Sequence, residues 1–242
     1  MRRRLTRSHA VSAVLLAVVC SCSTAPPPSP PVAAAAPGRG AVPNLFDVQG
    51  QISQYVDSGR YDSDVARVAY QAQEYLEMRA GQVAKPAVVL DIDETALSNW
   101  PAYRANGWAR IANGECDLRN GPCGLHAWQA MAKSKALKAT LALAQRAKGL
   151  GVAVFFISGR AADLRAATEQ NLRDAGYSWD GLTIFAPGAQ FARSEEFKVP
   201  ERRRIAAQGY TILFTLGDQQ SDLSGGFAER TYKLPNPVYF VP

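Results

Sequence analysis

Asp91 and Asp93 are the residues of this 242-residue chain whose type and spacing most directly indicate chemistry. They follow the apolar run 88–90, which is typical of a strand buried on both faces. Because residues i and i+2 of a strand point the same way, we expect the two carboxylates to converge on one small volume. A hard cation such as Mg²⁺ would relieve their repulsion. The alternative is a solvated pair of aspartates at a strand end.

A second apolar run, residues 152–157, ends at Ser158 and Gly159. Its β-branched and aromatic residues predict another buried strand. The Ser158 hydroxyl is a candidate donor to a phosphate oxygen, and Gly159 would let the backbone approach a ligand closely. The alternative is an ordinary strand-to-helix turn in which Ser158 is the helix N-cap.

A third apolar run, residues 211–216, leads into Asp218 and Asp222. We expect Asp218 to meet the first aspartate pair and complete a metal site, and Asp222 to orient water or a lysine from the second shell around it. Lys198, ahead of a predicted arginine-rich helix, is a candidate point charge for holding a phosphoryl group. The alternative for Lys198 is a solvated surface charge.

Taken together, these segments resemble the haloacid dehalogenase superfamily of phosphotransferases, whose motifs are DxDxT, a strand ending in Ser or Thr, a lysine and GDxxxD. The stretches Asp91–Thr95, Leu97–Asn99 and Gly217–Asp222 look more narrowly like the subfamily IIIB acid phosphatases. That group includes plant acid phosphatases, vegetative storage proteins and bacterial class C-like lipoprotein phosphatases. The ending Tyr232–Pro242 also resembles the plant members, so the likeness runs from about Asn44 to the C-terminus.

The resemblance implies an α/β fold, in which a Rossmann-like core of parallel strands is flanked by helices and carries a small cap insertion. It implies that Asp91 is the nucleophile that forms an aspartyl-phosphate. Asp93 would protonate the leaving alkoxide and then deprotonate the attacking water. Ser158, Gly159 and Lys198 would bind the phosphoryl oxygens.

The resemblance also implies one Mg²⁺, bound by the side chains of Asp91 and Asp218 and by the main-chain carbonyl of Asp93. The implied activity is hydrolysis of small organic phosphate esters, nucleotides among them. Two departures from the family pattern, Ser158 in place of Thr and Gln220 where plant relatives often have Trp, remove no group that the mechanism needs. The alternatives are a catalytically weak surface or storage-type protein and a phosphotransferase to alcohol acceptors.

The N-terminus has the pattern of a secretory signal. Residues 1–7 are basic, and Ala10–Val19 is apolar but too short to span a bilayer permanently. We predict a lipoprotein-type signal peptide over 1–22 with lipidation at Cys22; the alternatives are Cys20 and ordinary cleavage near Ala33–Ala36. The Pro/Ala-rich residues 23–43 would form a tether, and residues 44–242 the phosphatase domain. The protein is then extracytoplasmic, lipid-anchored or secreted.

The net charge gives no reason to expect a nucleic acid polymer as a partner. The formal charge is +6, but residues 1–21 hold four arginines and no acids, so the rest of the chain carries only +2. Membrane contact is expected only through the lipid anchor, and the sequence leaves the oligomeric state open. Cys116 and Cys123 lie in a Gly/Pro-rich loop, and after export they are expected to form a disulfide; the alternative is two free thiols.

Alternating strands and helices predict a parallel sheet with right-handed crossovers. We expect helices over 63–80, 127–150 and 161–175, and strands near 86–91, 152–157, 182–185 and 210–216. Residues 99–126 would form the small cap over the active site. In it Trp100 and Tyr103 are candidates for stacking on a nucleobase or a phenolic leaving group, the alternative being that they fill the core of the cap.

Overall fold

A five-stranded parallel sheet forms the centre of the structure, a computed structural model that describes residues 42–186 and 193–241. Its strands lie in the order β5-β4-β1-β6-β7, so β1 is central. Their bounds are β1 (Pro86–Leu90), β4 (Ala153–Ile157), β5 (Gly181–Thr183), β6 (Thr211–Gly217) and β7 (Arg230–Lys233). The predicted signal peptide with Cys22, and nearly all of the predicted tether, lie outside the described residues. The α/β fold class is confirmed.

Seven α-helices surround or extend this sheet within the described residues. They are α1 (Leu45–Asp57), α2 (Arg60–Arg79), α3 (Trp100–Ala105), α4 (Leu125–Ala130), α5 (Lys138–Gly149), α6 (Arg165–Asp174) and α7 (Glu195–Ala207). A two-residue strand, β2 (Leu97–Ser98), pairs antiparallel with β3 (Lys135–Ala136). None of the helices in these residues has the length and apolar character needed to cross a membrane.

The single helix expected over 127–150 is wrong, because the chain forms α4 and α5 with β3 between them. Two backbone amides in the break bond outside any helix: Ser134 donates to the Asn171 side chain at 3.1 Å, and Leu137 to the Ala96 carbonyl at 2.9 Å. Ala132 has φ of 54°, a left-handed conformation that does not continue an α-helix. Long-range hydrogen bonds therefore override the local helical preference of the Ala/Leu/Lys-rich stretch.

The sheet is covered on both faces, which explains why its central strands read as continuous apolar runs. In β1, Val88 and Leu90 face a core shared with α2 and α5, whereas Ala87 and Val89 face a second core that includes Phe197 of α7. The strands are thereby fixed in position and register. The residues that follow them emerge at one edge of the sheet, where a ligand crevice is expected in this architecture.

The segment 99–126 contains α3 and a loop closed by the Cys116–Cys123 disulfide. Cys123 is buried in an apolar cluster that includes the aromatic side chains of Tyr103, Trp108 and Trp128. The Cys123 backbone amide donates to the Asn106 side chain at 2.7 Å. The predicted disulfide is confirmed, and it fastens the loop to the helical part of the same segment.

Replacing both Cys116 and Cys123 by serine should lower the free energy of unfolding by about 2–3 kcal/mol, the effect expected of a crosslink that closes so short a loop. The measurement is urea denaturation of the purified protein and the double variant. Dithiothreitol should lower the stability of the wild type by a similar amount and leave the double variant unchanged. Equal stability of the wild type and the double variant under oxidising conditions would contradict the prediction.

Candidate active site

Asp91 immediately follows the central strand β1 and is 8% exposed. Its backbone amide donates to the Leu216 carbonyl at 3.0 Å, so the pairing between β1 and β6 continues to this residue. The neighbouring strand β4 behaves alike: the Ser158 amide donates to the Thr183 carbonyl at 2.9 Å. Sheet hydrogen bonds thus hold the backbone of two predicted site residues.

Lys198 reaches Asp91 from the second face of the sheet. Its Nζ lies 2.6 Å from Asp91 Oδ1 and also contacts Asp222 Oδ1. The sequence placed this lysine ahead of the arginine-rich helix, whereas the structure places it inside α7, with only 7% of its side chain exposed. The alternative of a solvated surface lysine is therefore wrong.

Asp218 and Asp222 follow β6 and complete a group of three buried aspartates. One carboxylate oxygen each of Asp91, Asp218 and Asp222 lies within 4.8 Å of the others. Gly217 makes this packing possible, because a Cβ at that position would lie 2.2 Å from Asp222 Oδ2. Both oxygens of Asp222 are already bonded, Oδ1 to Lys198 and Oδ2 to the Gln219 backbone amide at 2.8 Å.

The three carboxylates carry more negative charge than Lys198 offsets. Burial raises the pKa of Asp91 well above its ordinary value although Lys198 opposes the shift. Burial and the charge of Asp222 raise the pKa of Asp218 to about 6. The charges of Asp222 and Asp91, in turn, raise the pKa of Lys198 against the opposing effect of its burial.

This donor set fits a hard divalent cation. Carboxylate oxygens are the ligands that Mg²⁺ and similar ions prefer, and a cation beside Asp91 and Asp218 would offset the excess charge. The predicted metal side chains, Asp91 and Asp218, are therefore brought together. Asp222 lies beside them with both oxygens occupied, as expected of a residue that orients its neighbours.

Asp93 is paired with Arg160. The guanidinium donates from Nη2 to Asp93 Oδ1 at 2.7 Å and from Nε to Oδ2 at 3.1 Å. Asn99 Nδ2 donates to Oδ1 at 2.8 Å, and Gln129 also bonds this carboxylate. Although burial raises the pKa of Asp93, Arg160 and these amides outweigh it and hold the value below the ordinary range.

Glu94 lies directly behind Asp93 and is fully buried. It accepts hydrogen bonds from the Asn99 backbone at 2.5 Å, from the Tyr103 hydroxyl at 3.0 Å and from the Tyr239 hydroxyl at 3.2 Å. Burial and the charge of Asp93 raise the pKa of Glu94 to about 8. Its φ of 54° is unfavourable for a residue other than glycine, and such conformations cluster at functional sites.

The three aspartates, Asp93 and Lys198 line a cleft of about 290 Å³. Ser158 and Gly159 line it beside Arg160, and Gly159 is exposed to it. The remaining wall comes from several separate segments and includes Arg110, Asn113, Leu125, His126, Phe185, Tyr239 and Val241. The structure thus gathers every predicted catalytic, phosphate-binding and metal-binding side chain at one cleft.

Stacking of Trp100 and Tyr103 on a substrate is not supported by their positions, and the prediction is corrected. Neither residue lines the cleft in the described part of the chain. Tyr103 is 1% exposed and its hydroxyl is bonded to Glu94. Trp100 packs edge-on against Tyr61, with ring centroids 4.9 Å apart. Both rings pack in the apolar cluster of segment 99–126, which was the stated alternative, and Trp100 also packs against α2.

Sequence reasoning missed Arg160, Asn99 and the C-terminal residues near the cleft. Arg160 directly follows Gly159, and this position next to a predicted phosphate-binding residue could have indicated a role in the site. Asn99 belongs to a stretch that resembles the family, but its residue type alone did not indicate a role. Asn236 and Tyr239 lie in the ending that resembles the plant members, but nothing in that stretch indicates that it reaches the site from a distant part of the chain.

The comparisons with known proteins define a class and then a family. The fold is that of the class C acid phosphatase of Bacillus anthracis, with a TM-score of 0.64 and 22% identity over 81% of this chain and 86% of that one. The model of the HAD superfamily, subfamily IIIB (Acid phosphatase), matches residues 40–242. The chain belongs to this subfamily and is an acid phosphatase, a phosphoric monoester hydrolase. The predicted family is confirmed.

Plant proteins are among the relatives. A stem 28 kDa glycoprotein of Glycine max is 34% identical over 193 residues, which cover 78% of this chain and 72% of that protein. Acid phosphatase 1 of Solanum lycopersicum is 28% identical, with coverages of 78% and 73%. Vegetative storage protein 1 of Arabidopsis thaliana is 31% identical over 64% of this chain and 55% of that protein.

Replacing Arg160 by methionine should lower the free energy of unfolding by about 3–5 kcal/mol, because it leaves the Asp93 carboxylate without its cation. The measurement is urea denaturation at neutral pH. Arg165, half-exposed and paired with Glu169 on the surface of α6, provides the control, since Arg165→Met should cost no more than about 1 kcal/mol. Equal stabilities of the two variants would show that the Arg160–Asp93 contact contributes little.

Proposed function

We propose that this acid phosphatase is a Mg²⁺-dependent phosphomonoesterase that acts on small organic phosphate esters through an aspartyl-phosphate on Asp91. One observation carries the proposal: Asp91 is buried at the cleft, 2.6 Å from Lys198, within a cluster of carboxylates that fits a divalent cation. A carboxylate attacks an anionic phosphate poorly unless nearby cations reduce the repulsion.

In the first half-reaction, an oxygen of Asp91 attacks the phosphorus and the bond to the leaving oxygen breaks. For this step Asp93 must be protonated, against the effect of Arg160, which favours its ionised form. It gives that proton to the leaving oxygen, so the alcohol departs neutral. Lys198 and Ser158 hold the phosphoryl oxygens, with Gly159 leaving room beside them. In the second half-reaction, water attacks the phosphorus, Asp93 takes a proton from it, and phosphate leaves as Asp91 is regenerated.

The metal would be held by the side chains of Asp91 and Asp218 and by the main-chain carbonyl of Asp93. When bound, it neutralises phosphoryl charge and polarises the phosphorus for attack. Asp222 supports the site from behind, because its two oxygens fix Lys198 and the Gln219 backbone. Arg160, Asn99 and Gln129 aim the Asp93 carboxylate at the cleft.

The cleft suits a small ester. Its volume of about 290 Å³ admits a phosphate and a modest leaving group, and its wall combines apolar Leu125 and Phe185 with polar Arg110 and Asn113. Nucleotides, sugar phosphates and aryl phosphates all meet this description. Transfer to an alcohol acceptor would use the same groups, and comparing phosphate released with transfer product formed separates the two activities.

A catalytically weak storage role is disfavoured by the site itself, although vegetative storage proteins are relatives. The nucleophile, the acid–base residue and the lysine are all present and brought together. The Cys116–Cys123 disulfide supports an extracytoplasmic location, where such bonds persist. Lipidation at Cys22 stays a prediction, and labelling with a palmitate analogue in Cys22→Ala and wild-type cells would test it.

Replacing Asp91 by asparagine should lower the turnover of p-nitrophenyl phosphate by at least about a thousandfold, because the amide cannot form the phosphoenzyme. The fold should persist, as judged by circular dichroism. Asp174→Asn makes the same atomic change on the exposed end of α6 and should retain wild-type activity. Wild-type turnover by the Asp91 variant would refute the assigned nucleophile.

Removing divalent metal with EDTA should abolish hydrolysis, and adding Mg²⁺ in excess should restore it. The reason is electrostatic, since three buried carboxylates then face the phosphate and Lys198 offsets only part of their charge. Activity is followed after gel filtration into metal-free buffer and again after titration with Mg²⁺. Full activity in the metal-free protein would rule out the metal requirement.

A further inference from the structure

The C-terminal tail, Leu234–Val241, reaches the candidate metal site, although it lies well beyond the motif that contains Asp218. It continues from β7, and the Leu234 backbone amide donates to the Gly217 carbonyl at 2.9 Å, one residue before Asp218. Tyr239 and Val241 line the cleft. Nothing in the four motifs requires this segment to be there.

Asn236 connects the tail directly to Asp218. Its Nδ2 donates to Asp218 Oδ2 at 2.6 Å, while its Oδ1 accepts the backbone amides of Val238 at 2.8 Å and Tyr239 at 3.2 Å. The side chain therefore folds the tail into a turn and bonds the aspartate at the same time.

A second amide acts on the same oxygen and is itself held by the tail. Gln219 Nε2 donates to Asp218 Oδ2 at 2.5 Å, and Gln219 Oε1 accepts the Val241 backbone amide at 2.9 Å. Two neutral donors thus share Oδ2, whereas the contact of Oδ1 with the Thr95 hydroxyl is long, at 3.4 Å. Oδ1 is the oxygen left for a cation.

The chemistry of these donors suits a metal ligand. An amide orients a carboxylate by hydrogen bonding without adding positive charge, so the carboxylate keeps its full attraction for a cation. A lysine in the place of Asn236 would compete with the metal. The tail is also fixed at its far end, because the Tyr239 hydroxyl donates to buried Glu94 at 3.2 Å and Arg110 lies over the Tyr239 ring at 5.4 Å.

We propose that the C-terminal tail is a working part of the metal site, in which Asn236 is a positioning residue that sets Asp218 as a ligand and Tyr239 holds the tail in place. The inference rests on the proposed metal requirement. It adds to that requirement a residue contributed by the tail, outside the four motifs.

The test compares purified wild-type protein with Asn236→Ala and Tyr239→Phe by isothermal titration with MgCl₂ in the absence of substrate. Asn236→Ala should weaken Mg²⁺ binding about 10- to 100-fold, the usual effect of losing an outer-shell partner of a metal ligand. Turnover at saturating Mg²⁺ should fall much less. Tyr239→Phe touches no atom of Asp218, yet it should also weaken binding, by a smaller factor, because the tail loses its anchor.

Asn120→Ala is the matched control, since this exposed asparagine of the disulfide loop bonds only locally, to Asp117. It should bind Mg²⁺ as the wild type does. Unchanged Mg²⁺ affinity in both tail variants would overturn the inference, even if their thermal stability fell. If Asn236→Ala does not fold, Tyr239→Phe decides alone. A wild-type protein that binds no Mg²⁺ would instead refute the proposed metal dependence.

Discussion

An unfavourable concentration of negative charge governs the construction of this site. Asp91, Asp218 and Asp222 are buried within a few ångströms of one another at the carboxyl edge of the sheet, and Lys198 pairs with Asp91 and Asp222. The sheet has one apolar core on each face, and these two cores stabilise the strands that place the aspartates at this edge. Folding thereby creates an excess of negative charge that a bound cation would offset, and an anionic phosphate could then approach Asp91.

A separate set of contacts neutralises the fourth carboxylate, that of Asp93. Asp93 follows the same strand as Asp91 but is paired with Arg160, so the two aspartates have opposite pKa shifts. The direction of these shifts does not by itself assign the roles, because a nucleophile must be ionised and a proton donor protonated. The difference between the two aspartates follows from the partner that each strand-end side chain meets, Lys198 from α7 for one and Arg160 after β4 for the other.

The sequence predicted what depends on local pattern and missed what depends on distant contacts. The apolar runs located four of the five central strands, whereas β7, with its polar sequence RTYK, gave no such signal. The break between α4 and α5 was missed because it relies on Asn171 and Ala96. In the site, the motif residues were found, but the roles of Asn236 and Tyr239 were not, since only the fold brings Asn236 to Asp218 and Tyr239 to the cleft. Composition could not separate stacking from core packing for Trp100.

The hydrogen bonds of the buried Glu94 carboxyl group affect how the cleft can open. One carboxyl group joins the loop after β1, helix α3 through Tyr103 and the C-terminal tail through Tyr239. The loop, the adjoining helix α3 and the distant C-terminal tail share a single buried acceptor, so moving one of them leaves an unsatisfied polar group. We therefore expect the cleft to open in a concerted way. The loop after β1, helix α3 and the C-terminal tail would loosen as one cooperative unit, at a free-energy cost that no single segment determines.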